Sequence, residues 1–226
     1  MTPRRQSIAP ALVTVAALMV LFETLYFARQ QPGYGHVANT ISELGETGAP
    51  HARLVAFGFF LPVGLLIWLA LWLVHRAAPG RDIWFALAAM SCLGTGYAAA
   101  AFFPCDPGGP LFGTWRTEVH NVLGFIDYEG TGIGFLLVAR CCARRSAKFP
   151  AVAFLIAGVL VLLGLALLSL ETAYHLRGAI QRVTEVIQFT GIFFACFIAG
   201  KMEPSLYIHQ SNTLQPVVPS PLPGEG

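Results

Sequence analysis

The stretch VAFLIAGVLVLLGLALLSL, residues 152–170, decides the fold class of this protein. It carries no charged side chain, and about 20 apolar residues are enough for an α-helix to span the hydrocarbon core of a bilayer. Backbone groups in lipid must be hydrogen-bonded internally, so the stretch predicts a transmembrane helix. Five further apolar runs occur along the chain, and the six predicted helices lie near residues 8–28, 54–74, 83–103, 119–139, 152–170 and 180–200.

The composition agrees with a chain that lies almost entirely in a membrane. Only 12% of the 226 residues are charged, which is about half the fraction usual in soluble domains. We therefore expect an all-α fold, a polytopic membrane helical bundle that forms one domain over residues 1–202. Residues 203–226 contain five prolines and few large apolar side chains, and this composition predicts a disordered Pro-rich tail.

Charge and cysteine usage exclude some classes of partner. The net charge is +2, and no basic run is interleaved with aromatic residues, so we expect no nucleic-acid partner and name membrane lipids as the expected partners. The five cysteines form no spacing typical of a metal site, and no cofactor is predicted from them.

The distribution of Lys and Arg predicts the orientation in the membrane. With the N-terminus inside, nine basic residues fall on the cytoplasmic side and five on the external side. The cytoplasmic set is Arg4, Arg5, Arg76, Arg81, Arg140, Arg144, Arg145, Lys148 and Lys201. This asymmetry favours a multi-pass protein of the cell (inner or cytoplasmic) membrane with both termini in the cytoplasm.

In that orientation, the residues that are costly to bury in lipid lie toward the external side. Glu23, Asp127, Glu129 and Glu185 fall inside predicted helices, where an acidic side chain is a functional candidate by default. Helical spacing places His120 and Asp127 on one face of the fourth helix, with Glu185 on a similar polar face of the sixth. The candidate pocket residues are Ser42, Glu43, Asp106, His120, Asp127, Glu129, Glu171, His175, Arg182 and Glu185.

Two interpretations of these residues stay open. They could line an outward-facing polar pocket, or they could form internal ion pairs that hold the helices in register. The expected pairs are Arg182 with Glu129 or Glu185, and His120 with Asp127. Glu171 and His175 are four residues apart, so a continuous helix would bring their side chains together.

Several short motifs together resemble a known family. They are NTISELG at residues 39–45, FPCD at 103–106, His120, and GAIQRV at 178–183. Their order over roughly Ile8 to Gly200 resembles the prokaryotic multi-pass membrane family "domain of unknown function 998", and more distantly the Frag1/DRAM/Sfk1 membrane proteins. The resemblance implies about six helices with polar motifs at their external ends, and no established activity. It points to Ser42, Glu43, Leu44, Gly45, Pro104, Asp106, His120 and Arg182.

Three functions fit these patterns. The favoured one is a non-enzymatic protein whose pocket recognises a lipid head group or a small amphiphile. The second is an intramembrane metal-dependent lipid hydrolase, in which Asp106, His120, His175 and His36 could hold zinc, although no compact His motif is present. The third is an ion or proton carrier that uses the four acids within the helices as a relay.

Overall fold

The computed structural model describes residues 8–77 and 81–201. The predicted disordered tail at 203–226 and the basic pair Arg4 and Arg5 lie outside the described residues. Within these two ranges, six helices are long and apolar enough to cross a membrane, which confirms the predicted all-α bundle. The chain is therefore a multi-pass membrane protein.

The helices begin and end near the predicted positions. Their bounds are Ile8–Phe27 (α1), Ala52–Ala77 (α2), Arg81–Met90 followed by Cys92–Phe102 (α3), Trp115–Arg144 (α4), Lys148–Leu168 (α5) and Arg177–Lys201 (α6). α2 contains a π-helical turn at Ala56–Phe60. α4 has 30 residues and exceeds the predicted span at both ends. The turns at its ends contain polar residues, so hydropathy did not include them in the predicted span although they are helical.

Each helix packs against the next one along the chain, and α1 packs against α6, so the six helices close into a ring. Small residues allow the closest approach, where α2 crosses α3. A Cβ atom at Gly64 would lie 2.6 Å from the carbonyl oxygen of Gly94, so neither backbone could come so near with larger residues. α6 also contacts α2 and α4, and it therefore faces the interior of the ring.

Three connectors lie at the same end of the ring, which we call the loop end. They are residues 28–51, 103–114 and 169–176, and they contain short 3-10 turns at Ala28–Gln30, Ser42–Gly45 and Glu171–Leu176. Residues 145–147 connect two helices at the opposite end. The loop end carries almost all of the polar motifs noted in the sequence.

Candidate functional site

A short segment of the first connector, residues 39–45, closes the loop end over the interior of the ring; we call it the cap segment. Glu43 lies at its centre with 1% of its surface exposed. Its Oε1 accepts hydrogen bonds from the backbone N–H and the hydroxyl of Thr40, both at 2.8 Å, and its Oε2 accepts one from Nδ2 of Asn39 at 2.6 Å. The carboxylate therefore folds the segment onto itself.

Arg177, the first residue of α6, joins the cap segment to the other two connectors. Its Nη2 lies 3.4 Å from Oε1 of Glu43, and both side chains are buried. The guanidinium also donates to two backbone carbonyls of connector 103–114, at 2.6 and 2.9 Å, and lies 3.8 Å from the ring centre of Tyr174. A single buried cation thus links all three connectors at the loop end.

The sequence predictions did not single out Arg177. Its position in the sequence nevertheless indicates a role. The N-terminus of a helix carries a partial positive charge, so an arginine there is unfavourable unless an anion compensates it. An arginine at the first position of a membrane helix therefore indicates a nearby carboxylate. The structure supplies that carboxylate from Glu43.

Arg182 has a different role from the one predicted for it. Its Nη1 donates to the carbonyl oxygens of His36, Asn39 and Gly178, each at 2.8 Å, and its Nη2 donates to the hydroxyl of Tyr34 at 2.6 Å. The predicted ion pair with Glu129 or Glu185 is wrong as a direct contact, since these four acceptors are backbone and hydroxyl oxygens. Arg182 instead holds the first connector against α6.

Below the cap segment lies a cavity of about 70 Å³, which we call the polar cavity. α4 and α6 supply most of its polar lining, and Ser42 of the cap segment faces it. The lining residues of the two helices are His120, Gly124, Asp127, Tyr128, Gln181 and Glu185. The face that the helical spacing of α4 predicted therefore borders a space in the structure.

The acids of the polar cavity are hydrogen-bonded to neutral groups. Tyr97 donates its hydroxyl to Oε2 of Glu185 at 2.8 Å, and Gln188 donates its Nε2 to Oδ1 of Asp127 at 2.9 Å. Nδ1 of His120 lies 2.8 Å from the carbonyl oxygen of Phe103, so the predicted pair of His120 with Asp127 does not form. Because a carbonyl oxygen only accepts, this nitrogen carries the proton and Nε2 is left as an acceptor.

Glu23 of α1 adds a third acid to the interior. Its side chain is fully buried, and among the described residues neither of its carboxyl oxygens has a hydrogen-bond partner. It interacts electrostatically with Glu185. Buried polar groups without partners are rare in folded proteins and require a specific explanation.

Besides Glu43 and Arg182, four more of the predicted site residues lie apart from the polar cavity. Glu129 is exposed on the outer surface of α4, and Glu171 and His175 are exposed on the 3-10 turn before α6. Glu171 and His175 are therefore not held together by a continuous helix. Asp106 accepts hydrogen bonds from the backbone N–H and hydroxyl of Thr114, directly before α4.

The described residues contain no group of three or more His, Cys, Asp or Glu side chains placed to hold a metal ion. The ligand set considered for zinc, Asp106, His120 and His175, is thus not assembled, because each of these residues belongs to a different part of the loop end. His36 lies in the first connector, and burial lowers its pKa.

Hydrogen bonding and burial control the other ionisable groups of the connectors. The backbone N–H of Thr114 lowers the pKa of Asp106, which stays a carboxylate at neutral pH. Burial raises the pKa of Glu46, whose Oε2 accepts the backbone N–H of Gly108 at 2.7 Å. Burial also raises the pKa of Cys105 to about 12, so its sulfur is an unreactive thiol.

A second space, the apolar groove, lies on the bundle surface between α1 and α6. It measures about 490 Å³ and is lined mainly by aliphatic side chains, among them Leu18, Leu21 and Leu25 of α1 and Val186 of α6. His36 and Arg182 lie at its border with the loop end. Ile41 and Glu185 line both the apolar groove and the polar cavity, so the two spaces adjoin there.

The chain is similar to one protein family, whose function is unknown. No curated protein matches the chain, and no solved structure matches it. A family profile described as "Protein of unknown function (DUF998)" matches residues 10–200. Because this match covers most of the sequence, the chain belongs to the DUF998 family.

Proposed function

We propose that the protein binds a membrane amphiphile, with the apolar chain in the apolar groove and the polar group in the polar cavity. One observation carries this proposal: a lipid-facing apolar space and an interior polar space adjoin at Ile41 and Glu185. An amphiphile needs both environments side by side. The volume of the groove, about 490 Å³, lies in the range of ordinary small-molecule sites.

The proposal is one of recognition and not of catalysis. The cap segment is held by Glu43, Arg177 and Arg182, whose carboxylate and Nη groups are engaged with the protein itself. The hydrolase alternative would need a gathered ligand set, and its proposed ligands belong to separate parts of the loop end. We further propose that the termini lie in the cytoplasm, so that the loop end faces the outside of the cell membrane.

Retention of lipid by groove variants tests this proposal. The protein is released from lipid nanodiscs and its bound lipid is counted by native mass spectrometry. We expect the wild type to retain one amphiphile and Val186→Trp to retain about tenfold less, because the indole occupies the groove. Val183→Trp is the matched control, since Val183 is 62% exposed, Val186 is 66% exposed, and only Val186 lines the groove.

The comparison of the two tryptophan variants shows whether lipid retention depends on the apolar groove. Equal retention by Val183→Trp and Val186→Trp would show that bound lipid does not depend on the groove. A wild type that retains no lipid would also refute the proposal. The unfolding midpoint of both variants establishes that they are folded.

A proton carrier is a second candidate, and the unpartnered carboxyl group of Glu23 favours it. Glu23, Asp127 and Glu185 are all buried, whereas the fourth acid of that hypothesis, Glu129, is exposed on the bundle surface. Proton flux into liposomes containing wild type or Glu185→Gln tests this candidate. Flux no greater than that of empty liposomes would eliminate it.

A further inference from the structure

The acid–base character of the polar cavity indicates the kind of polar group that it accepts. Two carboxyl groups, Asp127 and Glu185, face it, and no Lys or Arg is among its described lining residues. Arg177 lines an adjoining space, but its Nη groups are bonded to Glu43 and to the connector 103–114. Arg182, on the neighbouring groove, has its Nη groups bonded to the first connector and to its own helix. A phosphate or carboxylate would therefore meet repulsion in the cavity, while a cation would be attracted.

The polar cavity is also lined by hydrogen-bond acceptors, namely the carboxyl groups of Asp127 and Glu185 and Nε2 of His120. Outside the lining of the cavity, both oxygens of Glu23 and Oε1 of Gln188 are fully buried without a partner among the described residues. The buried hydroxyls of Thr24 and Thr131, which can donate, are also without a partner there. The hydroxyl of Tyr128, which lines the cavity and is 6% exposed, makes no hydrogen bond of ordinary geometry to a described residue. A buried hydroxyl without a partner requires an explanation, and a ligand in the cavity would supply that partner to Tyr128.

We propose that the polar cavity binds the primary ammonium group of an aminolipid or of another long-chain amine. This inference rests on the proposed function and names the chemistry of the polar group. An ammonium has three N–H donors and no acceptor, which matches an acceptor-rich space. It also supplies a positively charged partner for the carboxyl groups, and a buried charge needs an oppositely charged partner.

The size of the cavity and its surroundings agree with that group. A single water needs about 10–15 Å³, so about 70 Å³ holds an ammonium and a few waters but not a large head group. The rings of Phe60, Tyr97 and Tyr128 also line the cavity, and aromatic faces attract cations. Glu185 borders the groove as well, so the amine can reach Glu185 while its chain stays in the groove.

The test uses nanodiscs with equal amounts of ethanolamine, choline and glycerol phospholipids, and native mass spectrometry of the lipid retained. We expect the wild type to retain the ethanolamine lipid about tenfold more than either other lipid, because only it offers N–H donors with a positive charge. The isosteric double variant Asp127→Asn/Glu185→Gln should lose this preference and still retain lipid in its groove. A displacement experiment compares how much of the retained lipid is displaced by dodecylamine and by dodecanoate.

A second variant tests the place of binding without removing an acid. A Cβ atom at Gly124 would have no neighbour within 4 Å, so Gly124→Leu fills the polar cavity without a clash at the backbone. We expect it to abolish the preference while the unfolding midpoint is unchanged. If Gly124→Leu keeps the preference, the amine does not bind in this cavity and the inference is overturned.

The outcomes separate this inference from the proposed function. Displacement by dodecylamine without enrichment of the ethanolamine lipid would support a single-chain amine as the ligand, whereas enrichment of that lipid supports an aminolipid. Retention that depends on Val186 but not on head group, with dodecylamine no better than dodecanoate, overturns the inference and leaves the proposed function standing. Enrichment of the choline lipid over the ethanolamine lipid refutes the hydrogen-bonding argument. Absence of any retained lipid refutes both.

Discussion

Replacing Glu43 by alanine should destabilise the protein far more than the loss of one surface carboxylate would. The Glu43 carboxylate accepts hydrogen bonds from Thr40 and Asn39 and pairs with Arg177. Arg177 is 5% exposed, so the variant leaves a guanidinium buried without its anion. Removing one partner of a buried ion pair costs about 3–5 kcal/mol, and we expect Glu43→Ala to lower the free energy of unfolding by that amount.

Unfolding by SDS in mixed micelles measures this change, followed by the loss of helical circular dichroism. A double-mutant cycle with Arg177→Met isolates the pair, because the double variant removes both the anion and the stranded cation. We expect the double variant to be more stable than the sum of the single effects predicts, by about 1–3 kcal/mol. Glu171→Ala is the control, since Glu171 is an exposed carboxylate at the same end of the bundle.

Two results would refute this reasoning. One is a loss below about 1 kcal/mol for Glu43→Ala, which is the range of exposed ion pairs. The other is strict additivity in the cycle, because it would mean that Glu43 and Arg177 stabilise the loop end independently of each other. In either case the cap segment would be held mainly by its apolar contacts.

Three further predictions concern packing, pH and orientation. Gly178→Ala should lower the free energy of unfolding by about 1–3 kcal/mol in the same SDS titration, because the added Cβ would clash with two backbone carbonyls of the first connector. Gly124→Ala is the control and should not destabilise the protein, since its Cβ would have no neighbour within 4 Å. Asp106→Asn should be less stable than wild type at pH 7. The lowered pKa of Asp106 means that its stabilisation is fully present above the ordinary value of 3.8 and is lost as the pH falls through the folded pKa. The unfolding midpoints of variant and wild type should therefore converge at a pH below 3.8. In a cysteine-free background, Phe112→Cys should react with a membrane-impermeant maleimide on intact cells, and Phe149→Cys only after permeabilisation. Both positions are exposed (83% and 86%), and they lie at opposite ends of the bundle. The reverse labelling pattern would invert the proposed orientation.

The interior site could be predicted in part, because helical periodicity is a local property. The spacing of His120 and Asp127 places them on one face of α4 whatever surrounds the helix. The same reasoning places Asp127 and Glu129 on nearly opposite faces of α4, but it does not show that Asp127 is buried and Glu129 exposed on the bundle surface. Both are acids in the same helix, and the rotation of that helix about its axis is determined by the helices packed against it.

The partners of the two arginines at the start of α6 could not be predicted for a related reason. Arg182 bonds to backbone carbonyls of residues more than 140 positions away, and a carbonyl carries no sequence signature. The ion pairs predicted for it, with Glu129 or Glu185, are not present in the structure. Arg177 has a carboxylate partner, and that partner lies in the first connector and not in a neighbouring helix.

The sequence by itself determined the membrane location, the six helices and the end of the bundle at which the polar residues gather. These follow from the length and hydropathy of each run, because every backbone hydrogen bond of a helix forms within the run itself. Only the tertiary structure decided that α1 meets α6 to close the ring, and that a groove at this contact adjoins a cavity lined by Asp127 and Glu185. Such spaces exist between helices distant in the chain, and their shape depends on how all six side-chain surfaces fit together.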